Sequence, residues 1–144
     1  MRAQTTTEYL FLMAVVLAMV IAIAYIVGRE AQTTGIDEKQ SQAYWSDATP
    51  FAVHGYRYAD TLLQLDMENT LVEQATLQQI EVEEIVYNID TVFQGGERLV
   101  VNITIADCGT VGSYYKLKDI VIRYQKQDGN FTQQGQRPWV GLCS

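Results

Sequence analysis

Twenty consecutive residues, Tyr9 to Gly28 (YLFLMAVVLAMVIAIAYIVG), carry no charge and no strongly polar side chain. Coiled as a helix they span ~30 Å, about the hydrocarbon thickness of a bilayer. A core helix of a soluble domain keeps a polar face, and this run has none. It must be surrounded by lipid, by other helices, or by each in turn. A cleaved secretory signal would have an apolar core of only ~7–15 residues behind a basic start. Here the run is longer and its approach is polar. A single-pass anchor accounts for the run but not for the residues ahead of it.

The charge lies elsewhere. Residues 1–28 hold only Arg2 and Glu8, so the whole net charge of −7 sits in residues 29–144. No basic footprint is available to neutralise phosphates, which excludes nucleic acid as a partner. The hydrophobic fraction of 48% and aromatic fraction of 10% exclude a disordered chain. Residues 60–97 contain nine acidic residues and no basic one, and residues 98–144 contain six basic and three acidic. If such bodies stack, the acidic part of one should meet the basic part of a neighbour.

After Gly28 the chain turns polar but remains compatible with helix, Ile36, Ala43 and Tyr44 falling near one face. Thr33-Thr34-Gly35 is a weak point, and Pro50 disfavours helix at Thr49, so the helix should stop by about Asp47–Thr49. From Phe51 the period changes to two. Leu63, Leu65 and Met67 alternate with polar residues, as do Ile80 and Val82. Leu99, Val101, Ile103 and Ile105 form a third run, and Ile120, Ile122 and Tyr124 a fourth. Turn residues separate them: Asp60, Glu68-Asn69-Thr70, Gln94-Gly95-Gly96-Glu97, Cys108-Gly109 to Gly112-Ser113, and Gln127-Asp128-Gly129-Asn130. Leu71–Gln79 reads as a loop entering a strand. The pattern predicts an α+β chain: a long hydrophobic N-terminal α-helix, then an antiparallel β-sandwich head of immunoglobulin-like type.

The residues before the apolar run are the most specific in the chain. Met1-Arg2-Ala3 precedes Gln4-Thr5-Thr6-Thr7-Glu8-Tyr9-Leu10. This resembles the class III signal motif of archaeal type IV pilins, Q-x-S-x-E-Y-L behind a basic and a small residue. Thr6 stands where Ser is usual, and Arg2-Ala3 replaces the commoner Lys-Gly. The resemblance implies cleavage between Ala3 and Gln4 by a prepilin peptidase, with the hydrophobic helix retained as the core of a filament. Either the leader is three residues long or the start codon lies upstream. It divides the chain into leader 1–3, helix and stem 4–49, and head 50–144. It also implies a homopolymer built through the N-terminal helices and held in the cytoplasmic membrane, with its assembly machinery, before it becomes an extracellular filament used in adhesion. Gln4 becomes the new N-terminus, and Glu8 pairs with the freed α-amine of a neighbour. A carboxylate at the edge of an apolar helix is costly in lipid unless paired. The other reading of Glu8 is a helix N-terminal charge favoured by the macrodipole. The head's strand order is also similar to archaeal pilin and archaellin heads. An archaellin remains the neighbouring alternative, and a membrane-anchored binding protein that never polymerises the more distant one.

Little in the head suggests catalysis. His54 is the only histidine. Glu81, Glu83 and Glu84 read as a solvated strand face rather than an acid–base pair. No phosphate loop, nucleophile elbow or zinc spacing is present, so the expectation is a non-enzyme without cofactor or metal. On an exported head Cys108 and Cys143 are expected to form a disulfide, tying the C-terminal strand to the loop after Ile105, the other reading being two buried thiols. Asn102-Ile103-Thr104 and Asn130-Phe131-Thr132 are N-glycosylation sequons, Asn102 on the polar side of a strand and Asn130 in a loop.

Overall fold

The structure, a computed structural model, describes the backbone of residues 2–144 and the side chains of residues 5–26 and 37–144. Two compact units divide the chain, 1–36 and 37–144. Helix α1, Arg2–Ser46, begins in the first and ends in the second. In the first unit every side chain from Thr5 to Ile26 is exposed, and this stretch is long and apolar enough to cross a membrane.

The second unit holds nine strands: β1 Phe51–Ala59, β2 Leu62–Asn69, β3 Ala75–Val82, β4 Ile85–Phe93, β5 Arg98–Thr104, β6 Tyr114–Leu117, β7 Val121–Lys126, β8 Gly129–Gln134 and β9 Trp139–Leu142. They form three antiparallel sheets, ordered β1-β2-β5, β4-β3-β7-β8 and β6-β9. The α+β arrangement of apolar helix and antiparallel sheets is therefore present. One core joins all three sheets, with Leu63, Leu65 and Met67 of β2, Leu77 and Ile80 of β3, Ile122 of β7 and Trp139 of β9 fully buried. Each of the four alternating runs turns its apolar residues inward, as period two requires.

Three features add to or depart from the sequence expectation. The last turns of α1 pack into the head's core, within the compact unit that begins at Asp37. Trp45 is fully buried against Trp139, with ring centroids 5.3 Å apart, and its indole N–H donates to the Arg137 carbonyl at 3.0 Å. The buried Ser41 hydroxyl donates to the Pro138 carbonyl. Second, Glu83 and Glu84 do not lie on a strand face. They form the two-residue turn between Val82 and Ile85, at φ 51° and 69°, the left-handed pair of a type I′ hairpin. Third, Asn130 lies in β8 rather than in a loop, since the β7–β8 turn is only Gln127-Asp128.

Candidate functional site

In the first unit, Thr7, Glu8, Phe11 and Leu12 line one concave patch on α1. Spacings of three and four residues bring these four side chains to one face. Glu8 is exposed there, at the edge of the apolar stretch. The expected cleavage residues, Ala3 and Gln4, lie outside the residues whose side chains are described.

In the head, Cys108 and Cys143 are joined by a disulfide with Cα atoms 5.9 Å apart. The bond sits in a strap that fastens the C-terminus. The Cys143 amide donates to Ser113 and its carbonyl accepts from Gly112, both at 2.8 Å, while the Cys108 amide donates to Asp60 at 2.7 Å. Each sequon has its Asn and Thr exposed on one side of a strand: Asn102 and Thr104 on β5, Asn130 and Thr132 on β8.

The charges pair within the chain. Glu81 meets Arg123 at 2.7 Å and Glu73 meets Lys126 at 3.0 Å. Asp66 accepts two bonds from Arg98, the Nε–Oδ1 bond measuring 2.7 Å. The Arg98 hydrogen bond lowers the Asp66 pKa, and the Glu73 hydrogen bond raises that of Lys126. Three of the six bases in residues 98–144 thus hold carboxylates of the acidic segment 60–97 of their own chain. His54, at the bulge between Val53 and Gly55, bonds Glu68 and has no second imidazole beside it.

A cleft of about 260 Å³ runs beside the disulfide, lined by Tyr58, Tyr87, Tyr115, Glu83, Asp107 and Lys116 among others. The Tyr58 hydroxyl donates to the Ala106 carbonyl, and burial raises the Tyr58 and Tyr115 pKa values. The cleft offers hydrogen bonds and charges of both signs. Among the described residues no group of His, Cys, Asp or Glu is arranged to hold a metal ion. No sequence pattern marks Trp45 and Trp139 as partners, or the two unpaired edges of the four-stranded sheet. The indoles are conspicuous by residue type alone, whereas edges exist only once strand order is known. No family model matches the chain, nor does any curated protein or solved structure.

Proposed function

We propose that this chain is the structural subunit of an archaeal type IV pilus-like surface filament. One observation carries the reading: Gln4-Thr5-Thr6-Thr7-Glu8-Tyr9-Leu10 opens a helical stretch whose residues from Tyr9 to Ile26 are exposed and apolar on every side. Such a surface is stable only in lipid or against other helices. A subunit that waits in the membrane and then packs its helix among copies of itself uses both environments. A prepilin peptidase frees the Gln4 amine, Glu8 receives a neighbour's amine, and the heads remain outside.

The head is an immunoglobulin-like sandwich. Supporting this, the orders β1-β2-β5 and β4-β3-β7-β8 follow the immunoglobulin pattern once the separate β6-β9 pair is set aside, with the fourth strand paired to the third instead of joining the other sheet. The paired cysteines suit an oxidising exterior. Asn102 and Asn130 carry glycans, and the filament serves adhesion; the subunit itself is not an enzyme.

Expression of the full chain in an archaeal host with a prepilin peptidase tests the reading. Mass spectrometry should find a subunit that begins at Gln4, and electron microscopy should find filaments containing it. A full-length chain that is monomeric in plain buffer, or that keeps Met1–Ala3 and forms no filament, overturns it.

A further inference from the structure

The four-stranded sheet ends in two edges, β4 and β8. Val82 pairs with Ile85 across the Glu83-Glu84 turn, and Lys126 pairs with Gly129 across Gln127-Asp128. In a two-residue hairpin the closing pair is hydrogen-bonded, and bonded and unbonded pairs then alternate. Hence Val86 and Asn88 of β4, and Asn130, Thr132 and Gln134 of β8, aim their backbone N–H and C=O away from their own sheet. Beyond the strand ladders none of these groups has a backbone partner among the described residues. Natural edges are guarded by Lys, Pro or inward charges. Ile85–Val92 has no Lys or Pro and one charge, Asp90, while β8 has no charge at all.

We propose that the β4 edge of one copy pairs antiparallel with the β8 edge of a second copy, joining their four-stranded sheets head to tail. Three observations select this occupant. First, strand directions alternate across β4-β3-β7-β8, so β4 and β8 run oppositely. Two copies in the same orientation therefore meet with antiparallel edges. Second, the pleats match. Val86 and Asn88 are exposed side chains on the outward face, and so are Asn130, Thr132 and Gln134. The edge-facing residues of both strands share that face, and the inner face continues across the junction without a slip.

Third, the charges choose the register. Opposing Val86 to Gln134 and Asn88 to Thr132 places Glu83 across from Arg137 and Asp90 across from Asn130. Arg137 bonds the Gln40 amide and has no carboxylate partner among the described residues. Sliding two residues one way would oppose Asp90 to Asp128, and the other way would move Glu83 from Arg137 to the buried Trp139. A two-fold β4–β4 contact would gather Glu83, Glu84 and Asp90 of both copies with no base among them. Room exists at the Gln134 end, where a groove bordered by Tyr44, Asp47, Ala48, Gln133 and Gln134 runs beside β8. The Ile85 side chain at the tip of β4 is 56% exposed and brings apolar surface to it.

Head-to-tail contacts that do not close produce open helical polymers, whereas a two-fold contact stops at a dimer. Two strand edges are a weak contact alone, and their strength here comes from the concentration that the packed N-terminal helices impose. The inference thus deepens the filament reading and rests on it.

The test is the full chain carrying Val86→Cys and Gln134→Cys, which leave both sequons intact, oxidised mildly after assembly. Within one chain these positions lie three strand spacings apart, ~14 Å, beyond disulfide reach of ~7 Å. Any new cross-link is therefore intermolecular. A ladder of multimers that collapses on reduction, absent from either single variant, is expected. Filaments without a ladder overturn the pairing and leave the filament reading intact. Dimers from Val86→Cys alone also overturn it, in favour of a two-fold contact. A ladder on membranes without filaments retains the pairing and removes the filament reading, and the absence of both removes both. If the cysteine pair disturbs folding, Asn88→Pro deletes one edge-facing N–H and spares the intrachain ladder. It should cut filament yield several-fold relative to Asn88→Ala, which loses the same Gln79–Asn88 side-chain bond but keeps the N–H. Unchanged yield counts against the pairing.

Discussion

Glu81 on β3 and Arg123 on β7 meet at 2.7 Å across the outward face of the four-stranded sheet. The pair joins the acidic middle of the chain to its basic C-terminal part. With Asp66–Arg98 and Glu73–Lys126 it turns the charge asymmetry of the sequence into an internal feature of the head. Of the six bases in residues 98–144, Lys116, Lys118 and Arg137 remain without an ion pair among the described residues, so they are the ones of that part left to attract a neighbour.

Arg123→Glu should therefore destabilise the head itself. Two carboxylates would face each other where a cross-strand pair now stands, a change on the order of 1 kcal/mol. For a domain this size the melting temperature should drop by several degrees, and added salt should restore part of it. Lys118→Glu, with no partner to lose, should stay within about 0.5 kcal/mol. Equal melting curves for the two variants would show that the Glu81–Arg123 pair contributes nothing.

Trp45 predicts where the chain may be cut. Trp45→Ala removes a fully buried indole that packs on Trp139, Tyr44 and the backbone at Gly135, and should cost about 3–5 kcal/mol. A chain truncated to begin at Asp37 keeps this contact and should fold as a soluble monomer. One truncated to begin at Phe51 should be largely unfolded by circular dichroism. Equal stability of the two fragments would place the last turns of α1 outside the head's core.

The sequence made the apolar helix legible because twenty uncharged residues have few physical outcomes. It made β2, β3, β5 and β7 legible because half-buried strands alternate. β4 hid because Val86 and Val92 lie on its outer face while Tyr87 and Phe93 lie on the other, which blurs the period. β6 and β9 hid because four residues are too short to show one. The Glu83-Glu84 turn lacks the Gly or Asn that marks a type I′ hairpin, so local chemistry gave no sign of it. The role of Trp45 depends on β9, ninety-four positions later, and no local pattern reports a contact at that separation.

The same turn offers a stabilising change. Both glutamates hold positive φ, a conformation that costs residues with a side chain and that Asn and Gly adopt readily. Replacing them with Glu83→Asn and Glu84→Gly should raise stability by about 1 kcal/mol, read as a higher melting temperature. A fall would mean that the glutamate side chains contribute more than the backbone strain costs.

Alkali should unfold the head through its tyrosines. Burial raises the phenol pKa of Tyr115 above its ordinary value of 10.0. A raised folded-state pKa leaves stability intact below the unfolded value, and that stability is lost as pH climbs through and beyond 10. Denaturant midpoints should therefore be flat up to about pH 9 and then decline. Tyr115→Phe should flatten the decline. An unchanged slope in that variant would assign alkaline unfolding to other groups.

Glu8→Gln tests the proposed coupling between processing and assembly. In the precursor the Gln4 nitrogen is an uncharged amide bonded to Ala3. Under the proposal, cleavage would free it as a charged amine at the edge of the apolar run, one helical turn ahead of Glu8, where a neighbour's carboxylate could meet it. Burying either ion alone costs several kcal/mol even after relaxation, so subunits whose charges stay unpaired should enter the filament poorly. Gln keeps the size and hydrogen bonding of Glu8 and removes only its charge. Cleavage before Gln4 should continue, as mass spectrometry can verify, while filament yield falls at least tenfold, equivalent to ~1.4 kcal/mol. Cyclisation of Gln4 to pyroglutamate would remove the amine's charge and is visible in the same spectrum as a loss of ammonia. If Glu8→Gln filaments form at the normal rate and yield with a free Gln4 amine, Glu8 is only an interfacial residue favoured by the helix dipole.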